Sequence, residues 1–138
     1  MQVTKNFTLE ELIESSTARQ RGILNQPNHQ EIDNLFRLCK ELLQPIRDAY
    51  GKPIIITSGF RNKALNKAVG GSSTSMHMQG LAADFKASDG NNKALWNLII
   101  KLRDAGKISF DQLIDEKKLS WIHIGLHPIK NRNQILYL

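Results

Sequence analysis

Two separated segments of this chain carry side chains that bind metal ions, and a fold that unites them is strongly constrained. His77 and Asp84 lie in one segment, with Gly80 between them, and His123 follows Trp121 much later in the sequence. Two imidazoles, one carboxylate and a vacant position distinguish a catalytic zinc site from a closed structural one. The pattern therefore predicts that two distant parts of the chain meet at one metal ion.

The spacing inside the first segment sets a condition on its backbone. A strand rises ~3.3 Å per residue, so His77 and Asp84 would lie too far apart if both were in extended chain. The loop must fold back, and Gly80 permits this because glycine adopts conformations that other residues avoid. Each residue taken alone is more often structural, as in a polar pair at a turn. The three together favour a metal site, because His123 projects from a predicted strand opposite an apolar face. That face comprises Ile122, Ile124 and Leu126.

Length and composition favour one globular domain over residues 1–138. Of the 138 residues, 41% are hydrophobic and 23% are charged, and a chain of this length buries a core without disulfides. Cys39 is the only cysteine, which excludes an intrachain disulfide and a four-cysteine zinc site. It lies in an apolar, helical stretch, where we expect a buried and unreactive thiol.

The net charge of +6 favours polyanionic partners such as nucleic acid, an anionic membrane or an anionic cell wall. The basic residues are scattered and aromatic residues make up only 7% of the chain, so we expect no nucleic-acid site. Residues 1–6 lack the apolar run of a signal peptide, and no apolar stretch is long enough to span a membrane. We therefore expect synthesis in the cytoplasm without a signal peptide. As a separate expectation, the protein is a monomer.

Hydrophobic periodicity predicts an α+β fold in which N-terminal helices pack on a small, mainly antiparallel sheet. The predicted helices span residues 8–15, 30–50, 62–69 and 91–105, with a kink or break at Pro45 and a loop over 17–29. The predicted strands span residues 53–57, 81–85, 110–114, 120–126 and 134–138. Thr8 and Glu11 are spaced as a capping box, which predicts the start of the first helix.

Several motifs taken together resemble the zinc D-alanyl-D-alanine carboxypeptidase family of peptidoglycan hydrolases, the M15-type group. They are Ser58-Gly59-Phe60-Arg61, Asn66, Val69-Gly70-Gly71, the block from Ser75 through His77 and Gly80 to Asp84, and Trp121-x-His123. The opening Phe7-Thr8-Leu9-Glu10-Glu11-Leu12 also resembles small family members, many of them phage or prophage proteins. The resemblance covers nearly the whole chain and implies the fold that these peptidases share with the hedgehog signalling domain.

The resemblance implies roles for individual residues and a Zn²⁺ cofactor. The implied zinc ligands are His77, Asp84 and His123. Arg61 matches an arginine that contacts the substrate carbonyl oxygen or terminal carboxylate, and its fork of donors suits either role. Ser75 matches the serine before the first ligand, a hydrogen-bonding partner that supports that ligand, and it is also a predicted substrate-binding residue. Trp121 is the remaining predicted substrate-binding residue.

The resemblance leaves the general base open. Many relatives carry a glutamate three residues before the last histidine, but Ser120 occupies that position here. Glu116 resembles the acidic residue that follows Gln-Leu-Ile in small members, and we favour it as the catalytic base. Asp115 is the second choice. The alternative for Glu116 is a solvated hairpin charge beside Lys117 and Lys118.

The implied function is zinc-dependent hydrolysis of peptidoglycan stem or cross-link peptides, by a carboxypeptidase or an endopeptidase. We expect action on the bacterial cell wall in lysis or remodelling, through phage lysis or as a virion component. The alternative is a catalytically inactive zinc module that binds wall peptides or a protein partner, which the serine at position 120 favours. A basic nucleic-acid binder is a third hypothesis that rests on charge only.

Overall fold

The computed structural model describes all 138 residues. The helices are α1 (Leu9–Ile13), α2 (Ser16–Arg21), α3 (His29–Leu38), α4 (Gln44–Tyr50), α5 (Lys63–Ala68) and α6 (Asn92–Asp104). The strands are β1 (Gln2–Thr4), β2 (Phe7–Thr8), β3 (Ile54–Ser58), β4 (Ala82–Ala87), β5 (Gln112–Glu116), β6 (Trp121–Gly125) and β7 (Gln134–Tyr137). A π-helical turn (Cys39–Leu43) joins α3 to α4, and a 3-10 turn (Met76–Gln79) precedes β4. None of the helices combines the length and the apolar composition that a membrane span requires.

The larger sheet has five strands in the order β3-β4-β6-β5-β7, and β1 pairs with β2 in a separate ribbon. Every neighbouring pair in the larger sheet is antiparallel except β5 and β7, which are parallel. The prediction of an α+β fold with a small, mainly antiparallel sheet is therefore confirmed.

One face of the sheet is apolar and the other carries the polar side chains of a cleft. Phe85 lies opposite Ile122, and Ala83 lies opposite Ile124; all four are fully buried. They belong to an apolar cluster of 24 buried residues. Helix α6 contacts β4, β6 and α4. Because successive strand residues point to opposite faces, Asp84 and His123 lie on the face away from this core.

Side-chain caps mark the starts of the first two helices. The capping box of Thr8 and Glu11 is present as predicted. The predicted loop over residues 17–29 is wrong in its first part, because α2 occupies Ser16–Arg21. The Ser15 side chain accepts a hydrogen bond from the Ala18 backbone, and Ala18 is the one buried residue of α2. So short a helix has no apolar stripe from which it could be predicted.

A kink or break is predicted at Pro45 within the helix over residues 30–50, and the chain there stays helical but changes from α3 through a π-helical turn to α4. Pro45 has no N–H to donate, and the chain accommodates it with the π-helical turn immediately before α4, in which the Gln44 N–H bonds to the Cys39 carbonyl. Cys39 is fully buried there. Burial raises the pKa of its thiol to about 12, so the reactive thiolate is absent at neutral pH.

Strand β5 begins and ends two residues later than the predicted strand over 110–114. Phe110 is completely buried and Asp111 lies in an irregular connection. The pairing continues instead through Asp115 and Glu116, which lie opposite Ile122 and Trp121 of β6. The shift places Glu116 within the sheet rather than in a loop.

Gly80 provides a test of how the turn before β4 is packed on α3. Its φ is +75°, and a Cβ added there would lie 2.6 Å from the Glu31 carbonyl oxygen. Gly90 has a similar φ of +79° with nothing within 4 Å. A positive φ costs a non-glycine residue ~1 kcal/mol at either position, and the clash adds ~1–3 kcal/mol at Gly80 alone. We expect Gly80→Ala to lower the free energy of unfolding in urea clearly more than Gly90→Ala; equal losses would contradict this packing.

Candidate active site

The three predicted metal-binding side chains meet at the polar face of the sheet. Asp84 of β4 and His123 of β6 are direct cross-strand partners. His77 lies in the 3-10 turn that Gly80 ends, and the chain then folds back into β4. One ligand atom from each side chain lies within 4.8 Å of the other two. The tertiary structure therefore satisfies the condition that the sequence imposed on the loop.

The distances between the donor atoms suit a small cation. The Asp84 Oδ1 lies 2.8 Å from His123 Nδ1 and 3.3 Å from His77 Nε2. Ligand atoms ~2.0–2.2 Å from a tetrahedral zinc ion lie ~3.3 Å from one another. Nitrogen and carboxylate oxygen are also the donors that zinc accepts, and three of them leave a position for a reactant. The residues present fit zinc.

A backbone contact determines which nitrogen of His77 faces the cluster. His77 Nδ1 lies 2.7 Å from the Gly59 carbonyl oxygen. A carbonyl only accepts hydrogen bonds, so Nδ1 carries the proton and Nε2 keeps its lone pair toward Asp84. Gly59 itself packs so closely on α1 that a Cβ there would lie 2.1 Å from the Leu12 carbonyl oxygen. The Ser-Gly-Phe-Arg segment thus holds the His77 ring in its metal-binding orientation.

The local electrostatics keep the cluster in the protonation states that bind a metal. Burial lowers the pKa of His77 and outweighs the opposing effect of Asp84, so its imidazole is neutral at pH 7. Burial alone would raise the pKa of Asp84, but the hydrogen bond with His123 and the neighbouring His77 ring hold it well below its usual range. A neutral imidazole and an ionised carboxylate are the forms that coordinate metal ions.

Arg61 lies beside this cluster without an ion-pair partner. Its backbone N–H donates to the His77 carbonyl oxygen over 3.1 Å, and its side chain lines the same cleft as the cluster. The buried Nε has no hydrogen-bond partner. Burial lowers the pKa of the guanidinium, and the charge of Asp84 partly offsets that effect. An uncommitted guanidinium at this position can receive a carboxylate or a carbonyl oxygen that gains negative charge.

The cleft has a volume of about 660 Å³ and includes the predicted substrate-binding residues. Trp121 lies at one end, directly opposite Glu116 on β5. Ser75 also lines the cleft, and its Oγ accepts a hydrogen bond from the His77 N–H. Ser75 therefore supports the turn that carries His77.

The two candidate bases lie on opposite faces of β5. Glu116 lines the cleft together with Ile114 and Gln112. Ile114 is the cross-strand partner of His123. Glu116, two residues further along β5, is therefore the diagonal neighbour of His123, and such neighbours lie ~7–8 Å apart between backbone positions. The structure does not bring Asp115 into the cleft.

Asp115 instead supports the hairpin between β5 and β6. Its Oδ1 accepts a 2.7 Å hydrogen bond from the Leu119 N–H. Lys117, Lys118 and Leu119 all have positive φ, at 50°, 57° and 59°. Such a backbone persists only where its surroundings hold it. The Asp115 carboxylate is one of the groups that hold it.

Two further residues of the cleft were missed by the sequence analysis. Asp111 and Arg132 line its end near Gly125, and they form a two-point ion pair. The sequence shows Arg132 only as part of a short basic stretch. No local pattern pairs it with an acidic residue so far back in the chain.

Comparisons with known proteins agree with this geometry. The sequence profile of the family described as Peptidase M15 matches residues 5–125, which include the cluster, Arg61 and Glu116. A zinc D-Ala-D-Ala carboxypeptidase of Streptomyces albus G is 52% identical over 46 residues. That match covers 33% of this chain and only 18% of the length of the Streptomyces protein. The chain belongs to the peptidase M15 family of zinc metallopeptidases.

Proposed function

We propose that this protein hydrolyses peptide bonds in peptidoglycan stem or cross-link peptides, as a D-Ala-D-Ala carboxypeptidase or an endopeptidase. The observation that carries the proposal is the convergence of His77, Asp84 and His123 in a cleft that also contains Arg61 and Glu116. The substrate class follows from the name of the Streptomyces relative. An open cleft beside a three-ligand cluster is what a peptidase needs to admit a chain.

Each residue has a distinct part in this proposal. His77, Asp84 and His123 hold the zinc ion. When bound, zinc supplies Lewis-acid polarisation of a peptide carbonyl and promotes ionisation of water. Glu116 removes a proton from the attacking water and later delivers it to the leaving amine. Arg61 donates hydrogen bonds to the developing oxyanion or to a terminal carboxylate, and Trp121 packs against the substrate.

Two further predictions belong to the same proposal. We expect the protein to be a monomer, and we expect it to reach the cell wall through phage lysis or as a virion component. Sedimentation of the purified chain measures the first.

Removing one metal-binding side chain should abolish tight zinc binding. We expect His77→Ala, Asp84→Ala and His123→Ala each to weaken the zinc affinity more than ~100-fold, because loss of a merely supporting residue costs about 10- to 100-fold. Competition with a chelating dye measures the affinity, and circular dichroism verifies the fold. His29→Ala is the matched control, since His29 is exposed at the start of α3. Wild-type affinity in any of the three variants would contradict the ligand set.

Zinc affinity should fall as the pH falls, because protons and zinc compete for the imidazoles. Burial lowers the pKa of His77, and the pKa of Asp84 lies well below its usual range, so neither group takes up a proton near neutrality. Burial puts the pKa of the His77 imidazole below the value of about 6.5 that an imidazole has in water. We therefore expect constant zinc affinity at neutral pH and a progressive loss only as the pH falls below about 6.5, measured with the same dye in a series of buffers. An affinity that increases with acidity would contradict this assignment.

Neutralising the two neighbouring carboxylates separately tests the general base. Glu116→Gln should lower kcat by ~10²–10⁴-fold with little change in KM, because the proton acceptor is lost. Asp115→Asn should retain most of the activity, since its amide oxygen can still accept the Leu119 N–H. Digestion of defined peptidoglycan, with products identified by mass spectrometry, measures both. The opposite ranking would make Asp115 the base.

The alternative function is an inactive zinc module that binds wall peptides or a protein partner. Ser120, at the position where many relatives carry a glutamate, favours it; the Ser120 Oγ donates to the Lys117 carbonyl oxygen within the hairpin. The same digestion separates the two functions. Zinc-loaded protein that binds but never cleaves the peptides would establish the alternative.

A further inference from the structure

The cleft continues past the metal cluster to an arginine that has no role in the reaction described above. Arg132 Nε donates to Asp111 Oδ1, and Nη2 donates to Oδ2, both over 2.9 Å. The Arg132 backbone N–H also donates to Asp111 Oδ1, over 3.1 Å. Two parallel side-chain bonds fix the plane of a guanidinium as well as its position.

The two partners of this ion pair differ greatly in exposure. The Asp111 side chain is 4% exposed, whereas that of Arg132 is 58% exposed. The carboxylate is therefore buried and accepts three hydrogen bonds from Arg132. Arg132 Nη1 forms no hydrogen bond and remains free to donate. The hydrogen bonds with Asp111 raise the pKa of Arg132, so the exposed group is a permanent cation. The exposed member of the pair in the cleft is therefore the positively charged Arg132.

The position of the pair along β6 gives its distance from the metal cluster. Trp121, His123 and Gly125 occupy successive positions on the cleft face. Asp111 lies beside Gly125, whose carbonyl oxygen accepts the Asp111 N–H over 2.8 Å. Gly125 has no side chain, and a Cβ added there would lie 3.7 Å from His123 Nε2. At ~3.3 Å per residue of extended chain, Leu126, which also lines the cleft, lies ~10 Å from His123.

We propose that Arg132, oriented by Asp111, binds a carboxylate of the substrate peptide about three residues from the cleaved bond. The ligand chemistry is a peptide with a free acidic side chain or α-carboxyl group at that position, in preference to its carboxamide. This subsite rests on the proposed peptidase function and adds a substrate preference to it. It differs from the role proposed for Arg61, which lies beside the metal cluster itself.

We expect an ion pair between the substrate carboxylate and the half-exposed Arg132 to raise kcat/KM by a measurable but limited factor. Hydrogen bonds between ionised groups are stronger than neutral ones, and solvent weakens exposed pairs. We expect wild-type protein to cleave the carboxylate peptide with a kcat/KM about five- to tenfold above that of the matched carboxamide. The difference should shrink as the salt concentration rises.

The experiment compares defined stem peptides in which one carboxyl group at a time is amidated. Arg132→Gln should abolish the preference while cleavage of the carboxamide peptide persists. Because Arg132→Gln leaves Asp111 buried without its partner, the double variant Asp111→Asn/Arg132→Gln serves as a second test with no orphaned charge. Arg19→Gln is the matched control, since Arg19 also pairs with an acidic residue on the surface but lies outside the cleft.

The outcomes separate the subsite from the underlying function. Loss of the preference in both Arg132 variants, with the preference kept in Arg19→Gln, supports the subsite. Wild-type cleavage of the two peptides at equal kcat/KM overturns it and leaves the peptidase function intact, as does an unchanged preference in the double variant. A zinc-loaded wild type that cleaves neither peptide refutes the peptidase function itself. A purely structural ion pair would reduce stability in the variants without changing the ratio of the two kcat/KM values.

Discussion

The register of β4 on β6 is the constraint on which the rest of this molecule depends. Phe85 lies opposite Ile122 on the core face, and Asp84 lies opposite His123 on the cleft face. Because strand side chains alternate, a slip of one residue would expose the apolar pair and bury the polar one. The free energy that the core gains by burying apolar side chains therefore also fixes where the aspartate and histidine meet. The strand register alone therefore aligns Asp84 with His123, two of the three members of the metal cluster.

The third member depends on the N-terminal helices. The Gly59 carbonyl oxygen accepts a hydrogen bond from His77 Nδ1–H, and Gly59 packs against the Leu12 backbone. The Phe60 N–H donates to the Leu12 carbonyl oxygen. Helix α1 is thus connected to the ring orientation of His77 through two short contacts. The motif around residues 58–61 therefore acts at the cluster through the backbone of Gly59, which has no side chain. It also shows why the helical part of the fold belongs to the site rather than merely covering the sheet.

The sequence predicted most strands and the cluster, and the errors have physical causes. The β-branched run before Ser58 and the alternation around Ile122 indicate strands from local pattern alone. Helix α2 was missed because its six residues bury only Ala18. The predicted strand over residues 110–114 ends two residues before the observed β5, because the apolar pattern of the sequence stops at Ile114. The last two residues of β5 are strand because they pair with Ile122 and Trp121 of β6. That shift decided which of two adjacent carboxylates reaches the cleft.

The sequence by itself determined the chemistry available to this protein: two imidazoles, a carboxylate, an arginine and the glycines that let their loops approach each other. Residue type and short-range spacing are sufficient for that inference, because donor atoms and backbone freedom are properties of single residues. Only the tertiary structure decided that Glu116 faces the metal-binding cluster while Asp115 supports a turn, and that Arg132 joins Asp111 at the end of the cleft. These relations depend on strand register and loop closure, which are set by packing summed over the whole core, and no local segment contains that information.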